Sequence, residues 1–134
     1  MTNAIPLIFL LALAQVESGN DPAAVGDNGL AVGILQVRPI ALRDVCRISG
    51  QSFTLSDRLS PYKSFQMARI YLGRYCSEKR LGRKPTWEDF GAAWNSGPAY
   101  RTKWHKTDAY RAKLRIELDR LGYFSPTSAK TGGR

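Results

Sequence analysis

The feature that most constrains the fold is an apolar run near the start of the chain, from Ala4 to Ala14, which Glu17 follows three residues later. A helix formed by this run would be apolar on every side, which is typical of a helix at the centre of a core. A transmembrane helix requires about 20 apolar residues, and this run is shorter. We therefore expect a buried helix from about Ala4 to Ser18, with Asn3 as its candidate cap.

The same run has one feature of a secretion signal, because Ala12-Leu13-Ala14 has the small-x-small form of a cleavage site. No lysine or arginine precedes the run, whereas a signal peptide begins with a basic segment. Cleavage after Ala14 would also remove the helix that presents Glu17. The buried helix is therefore the interpretation we prefer, with the signal as the alternative.

The rest of the chain carries start and stop signals for further helices, without an internal repeat or sustained β alternation. The expected helices cover residues 39–48, 61–79, 87–95 and 107–121. Turn sequences at residues 19–22 and 26–29 predict a loop or a short irregular hairpin. The predicted fold class is mainly α, a single domain of about five helices over residues 1–124, with residues 125–134 as a disordered tail.

The composition indicates an ordinary globular domain whose charge favours anionic partners. The 134 residues carry 20 Lys and Arg against 11 Asp and Glu, a formal net charge of +9. This balance suits nucleic acid, acidic lipid surfaces or anionic cell-wall polymers. No helix-turn-helix signature or arginine-rich recognition segment accompanies the charge, so a nucleic-acid-binding module is the weaker interpretation.

The cysteine and histidine content argues against a metal centre. Cys46 and Cys76 could form one disulfide or remain two buried thiols, and both interpretations stay open. Two cysteines and one histidine, His105, match no zinc-site spacing. We therefore expect no metal and no cofactor, and a monomer by default.

Four motifs follow one another along the chain. They are Glu17-Ser18-Gly19-Asn20-Asp21-Pro22, the segment from Gly29 to Pro39, Ala92-Ala93-Trp94-Asn95-Ser96-Gly97-Pro98, and Thr107-Asp108-Ala109-Tyr110. This series resembles the soluble lytic transglycosylases, peptidoglycan-cleaving relatives of goose-type lysozyme, over roughly residues 7–114. The resemblance implies a lysozyme-like fold and a substrate made of cell-wall glycan strands.

The resemblance also implies a role for each matched side chain. Glu17 would be the general acid and base, Ser18 would support the Glu17 loop, and Tyr110 would orient the carboxyl group. Gln36 and Asn95 would bind the sugar near the scissile bond. For Glu17 the residue pattern agrees independently, because a carboxyl group beside apolar surface has a raised pKa and can stay protonated to donate to a glycosidic oxygen.

Trp94 and Asp27 complete the candidate set. Trp94 stands where the family has tyrosine and could stack on a sugar ring, while Asp27 is a possible second carboxylate in a turn where capping is the commoner role. Gly26 or Asp27 stands where the family often has a serine, and Arg38 replaces a methionine. These departures leave open a wall-binding domain without activity.

The predicted function is therefore a lytic transglycosylase that breaks the MurNAc-GlcNAc β-1,4 bond and leaves 1,6-anhydro-MurNAc ends. In that family the hydroxymethyl oxygen of MurNAc attacks the anomeric carbon, so no second carboxylate is needed. A goose-type lysozyme or chitinase-like hydrolase, which would need an aspartate to hold water, is the alternative. With its first helix expected in the core, a chain made in the cytoplasm would need a holin, a virion or another secretion route to reach the periplasm or wall, as a phage or secretion-system enzyme would.

Overall fold

Five helices of ten or more residues and one four-residue helix account for most of residues 5–125, the range that this computed structural model describes. The helices are α1 Leu7–Ser18, α2 Pro39–Ser49, α3 Pro61–Tyr75, α4 Glu78–Leu81, α5 Trp87–Ser96 and α6 Asp108–Arg120. The predicted mainly α, lysozyme-like fold of about five helices is confirmed. The candidate cap Asn3 and the predicted tail, apart from Ser125, lie outside the described residues.

Helix α1 forms the centre of the core, as its sequence predicts. Phe9, Leu10 and residues 12–14 are fully buried, and α1 packs along α6. Leu7 and Leu11 are 52% and 39% exposed, so one side of the apolar helix still faces solvent. Burial of the remaining faces stabilises the fold by removing apolar surface from water.

The end of α1 is set by Gly19, which adopts a left-handed conformation with φ +70°. Its N–H bonds to the Gln15 carbonyl at 3.0 Å, and the next N–H, of Asn20, bonds to the Ala14 carbonyl at 3.2 Å. A glycine in this conformation terminates a helix while satisfying its last carbonyls. Glu17 is thereby held in the final turn of this central helix.

The turn sequences after α1 form the short irregular hairpin that they predict. Strand β1 (Val25–Gly26) pairs antiparallel with β2 (Ala31–Val32), and Val25 lies opposite Val32. A 3₁₀ segment at Asp27–Gly29 makes the turn, and an isolated bridge joins Val32 to Val37. The hairpin thus leads the chain directly from the end of α1 to the start of α2.

The prediction of one continuous helix over residues 61–79 is wrong. Helix α3 ends at Tyr75, and the hydroxyl of Ser77 accepts a hydrogen bond from the Arg80 backbone N–H to begin α4. Serine hydroxyls that bond to nearby backbone groups favour caps over helix interiors. The last helix is close to the prediction, with Thr107 at its cap and its end at Arg120.

Both cysteines are free thiols, which decides between the two interpretations left open by the sequence. The Cys76 thiol lies against the Asp89 carbonyl, with 3.5 Å between sulfur and oxygen. Burial raises the pKa of this thiol to about 12. A buried thiol that stays protonated is chemically inert, so Cys76 serves as core.

Candidate active site

Five of the seven predicted site residues line one cleft of about 850 Å³. They are Glu17, Asp27, Gln36, Trp94 and Asn95. The cleft lies between the hairpin, helix α2 and the carboxyl end of α5, so residues far apart in sequence meet there. The other two do not line the cleft: Tyr110 bonds to Glu17 from α6, and Ser18 bonds to the backbone next to the cleft.

Glu17 is the residue with the most distinctive environment in this cleft. The pKa of its carboxyl group is raised to about 7, and burial is the largest cause. A hydrogen bond from Tyr110 lowers this pKa, and the negative charge of Asp27 raises it. The Tyr110 hydroxyl donates that bond to Glu17 Oε2 at 2.5 Å. Because burial and the nearby Glu17 raise the pKa of Tyr110 well above its usual value, the phenol stays protonated and remains a donor.

Ser18 ties the end of α1 to the loop beyond the hairpin. Its hydroxyl donates to the Ile34 carbonyl at 2.8 Å and accepts from the Asp21 backbone N–H at 3.0 Å. Both contacts are with the protein's own backbone. Ser18 is therefore suited to holding the Glu17 turn in position rather than to touching a ligand.

Gln36 has a strained backbone and a side-chain nitrogen that is already engaged. Its φ is +55°, a conformation uncommon for residues other than glycine, and Nε2 donates to the carbonyls of Ala24 and Gly33, each at 3.1 Å. Oε1 lies over Gly26, where an added Cβ would stand only 2.5 Å away. The amide oxygen is thus the part of Gln36 that is left to accept a hydrogen bond from a ligand.

Trp94 and Asn95 present contrasting groups at the end of α5. The Trp94 indole N–H donates to the Leu35 carbonyl at 3.1 Å, and its ring packs edge-on to Tyr71 with 5.5 Å between centroids. Asn95 is exposed, and no hydrogen bond joins its side chain to the described residues. The tryptophan is fixed as part of the cleft floor, while the asparagine amide is available to a ligand.

Arg58, which sequence reasoning missed, stabilises the backbone segment that carries Gln36. Its guanidinium is buried and donates to the carbonyls of Leu30, Val37 and Leu55 at 2.9–3.0 Å. Gly33, at φ +92°, lies so close that an added Cβ would stand 1.9 Å from the Arg58 carbonyl oxygen. Arg58 therefore fixes the backbone of residues 30–37 from both its side chain and its main chain.

Two further carboxylates line the cleft, and each contacts an arginine. Asp27 forms an ion pair of 3.4 Å with Arg38, and both side chains are about half exposed. Asp44, which sequence reasoning missed, pairs with Arg47 and accepts a hydrogen bond from the Tyr75 hydroxyl at 2.5 Å. Burial opposes ionisation of Asp44, but the bonds from Tyr75 and Arg47 outweigh it and lower its pKa. Each of the two carboxylates is therefore occupied by an arginine partner.

Comparison with known protein families places most of the chain within one family. A family model, described as the transglycosylase SLT domain, matches residues 1–116. No curated protein matches the chain significantly. Within residues 5–125, no helix is long and apolar enough to cross a membrane.

Proposed function

The chain belongs to the transglycosylase SLT domain family, whose members are enzymes that cleave peptidoglycan, and we propose that Glu17 is the single general acid and base of its reaction. The substrate bond would be the β-1,4 linkage from MurNAc to GlcNAc. The product would be a 1,6-anhydro-MurNAc end. Residues 1–124 would form one catalytic domain that acts on the wall as a monomer.

The observation that carries this proposal is the pKa of Glu17, raised by burial to about 7. A general acid works best when its pKa lies near the working pH, because it is then protonated and still able to release its proton. A glutamate in an apolar pocket has this property in other glycosidases. Asp27 and Asp44 differ from Glu17 because each contacts an arginine.

The proposed reaction proceeds in two proton transfers. Glu17 gives its proton to the glycosidic oxygen, the bond from that oxygen to C1 of MurNAc breaks, and the GlcNAc side leaves as an alcohol. The Glu17 carboxylate then takes the proton of the MurNAc C6 hydroxyl, whose oxygen bonds to C1. No water is consumed, and Glu17 ends protonated as it began.

The remaining candidate residues would act by holding the substrate and the acid. The exposed amide of Asn95 and the Gln36 amide oxygen are suited to sugar hydroxyls and N-acetyl groups, and the Trp94 face to a sugar ring. Tyr110 and Ser18 would hold the carboxyl group and its turn. Each bond of this kind acts by positioning the reacting atoms.

Transglycosylation is favoured over hydrolysis because no cleft carboxylate is free to activate water. An inverting hydrolase uses a second carboxylate as a base for water. In this cleft, Asp27 is engaged by Arg38, and Asp44 by Tyr75 and Arg47. The lone protonated Glu17 suits an intramolecular attack that needs no such base.

The test is to incubate purified peptidoglycan with the protein and to determine the masses of the released fragments. An anhydro end is lighter than a hydrolysed end by one water, so the wild type should yield the lighter fragments and Glu17→Gln should yield none. Gln15→Asn, a change two residues earlier at an exposed position of α1, is the matched control and should stay active. Hydrated ends alone would establish a hydrolase instead, and full activity of Glu17→Gln would remove Glu17 from the mechanism.

A further inference from the structure

One face of helix α2 forms a wall of the cleft, and that face carries cations. Ile40, Arg43, Asp44 and Arg47 all line the cleft, at the i, i+3, i+4 and i+7 spacing of a single helix face. We call Arg43 and Arg47 the arginine wall. Because they are four residues apart, their side chains are neighbours on the helix surface.

Arg43 is the uncompensated charge of the cleft. Arg38 pairs with Asp27, and Arg47 pairs with Asp44, while no ion pair or hydrogen bond joins the Arg43 side chain to the described residues. Arg47 bonds to Asp44 through Nε and Nη2, which leaves its Nη1 available. With Glu17 protonated, the cleft as a whole carries an excess of positive charge.

The arginine wall is joined to the Trp94 end of the cleft by a row of aromatic rings. Trp94 packs edge-on to Tyr71, and Tyr71 packs edge-on to Tyr75 with 5.0 Å between centroids. The Tyr75 hydroxyl lies 3.2 Å from Arg47 Nη2 and donates to Asp44. Because Trp94, Tyr71 and both arginines line the one cleft, a glycan strand bound at Trp94 would extend towards the arginine wall.

The chemistry of guanidinium groups indicates what they would bind there. The sugars of the glycan offer neutral hydroxyl and amide groups, whereas arginine matches carboxylates with two parallel hydrogen bonds. In peptidoglycan, carboxylates are carried by the peptides attached to MurNAc. We propose that the arginine wall binds these peptide carboxylates, so that the enzyme prefers strands with charged peptides over strands with neutral ones. This inference rests on the proposed function.

The experiment compares two substrates that differ in the charge of their peptide carboxyl groups. One is soluble glycan strands with their native peptides, and the other is the same strands after carbodiimide coupling to methylamine has converted the peptide carboxylates into neutral amides. We expect the wild type to have a kcat/KM about threefold lower on the neutral strands, in keeping with exposed ion pairs. Raised salt should weaken this preference, because it screens exposed charges.

Two variants with the same loss of charge complete the design. Arg43→Gln should lose about the same threefold on native strands and nothing on neutral strands. Lys113→Gln, an exposed position on α6 outside the cleft lining, should keep the wild-type preference. An equal loss for Arg43→Gln on both substrates would mean contact with sugar or a structural role, and would overturn the inference.

The outcomes also separate this inference from the proposed function. If the wild type cleaves native and neutral strands equally well, the enzyme assignment stands and the arginine wall has no peptide ligand. If the wild type releases no fragment from either substrate, the proposed function fails and the inference fails with it. A charge preference that Arg43→Gln abolishes supports both.

Discussion

The Tyr110 hydroxyl donates a hydrogen bond of 2.5 Å to Glu17 Oε2 and thereby joins two residues that are 93 positions apart in sequence. The bond links the last turn of α1 to the first turns of α6, the two helices that pack along each other in the core. Burial raises the pKa of Glu17, and this bond opposes the rise. One contact therefore influences both the orientation and the protonation of the proposed acid.

Tyr110→Phe should raise the pKa of Glu17, because it removes a hydrogen bond that favours the ionised carboxylate. The alkaline limb of the kcat/KM profile, which reports groups of the free enzyme, should move to higher pH. We expect kcat to fall about tenfold, since the carboxyl group loses its fixed orientation. Tyr62→Phe, at an exposed tyrosine of α3, is the control. If the alkaline limb of Tyr110→Phe stays at the wild-type pH, Tyr110 does not influence the pKa of Glu17.

Asp27→Asn should shift the same limb in the opposite direction. The charge of Asp27 raises the pKa of Glu17, and its removal also leaves the positive charge of Arg38 without its partner. Both changes favour the ionised carboxylate, so the pKa of Glu17 falls. As the pH is raised, the variant should therefore lose its activity at a lower pH than the wild type does. Profiles of kcat/KM against pH, with Asp119→Asn as the control, test this. Complete loss of activity of Asp27→Asn at every pH would instead indicate that Asp27 takes a direct part in the reaction.

Glu17→Gln should stabilise the protein at neutral to alkaline pH. The folded state raises the pKa from 4.5 to about 7, so it binds the proton more tightly than the unfolded chain does. The stability of the wild type therefore falls as pH rises from about 4.5 to 7, and above that range the buried charge costs about 1–3 kcal/mol. In urea unfolding, Glu17→Gln should have a higher free energy of unfolding than the wild type at pH 8 and not at pH 4. An equal increase at both pH values would exclude burial of the charge as the cause.

The motif order predicted much of this site because its side chains come from the ends of elements. Glu17 lies in the last turn of α1, and Trp94 and Asn95 lie in the last turn of α5. The sequence signals for those ends are local: Gly19 in one case and Gly97-Pro98 in the other. Local signals of this kind can be read without knowing the tertiary structure. The cleft could thus be anticipated from the residues that stop its helices.

The residues that support the cleft could not be read in the same way. Arg58 bonds to carbonyls of Leu30 and Val37, 28 and 21 residues earlier in the chain, and Asp44 meets Tyr75 from another helix. An arginine or aspartate in a polar segment is normally solvated. Only the packing of distant segments brings these groups together, so no periodicity in the sequence marks them.

Arg58→Met should destabilise the protein by about 2–4 kcal/mol, because it removes the three hydrogen bonds that the buried guanidinium donates to the carbonyls of Leu30, Val37 and Leu55. Residues 30–37 lose their anchor at the same time, so kcat/KM should fall even where the variant is fully folded. Arg120→Met, at an arginine whose side chain is 66% exposed, is the matched control and should change stability by less than about 0.5 kcal/mol. A similarly small effect of Arg58→Met on the urea midpoint would contradict an anchoring role.

Gly26→Ala tests whether the Gln36 amide oxygen contacts substrate. The new Cβ would stand 2.5 Å from Oε1, so the Gln36 amide must shift against its bonds to the Ala24 and Gly33 carbonyls. The Gly26 backbone itself accepts alanine, because it is extended, with φ −135° and ψ −178°. We expect a change of less than about 1 kcal/mol in the free energy of unfolding together with a rise in KM. Gly73→Ala, where an added Cβ meets nothing within 4 Å, should leave KM unchanged. If KM is also unchanged in Gly26→Ala while Gln36 has moved, the glutamine is a structural residue of the hairpin alone.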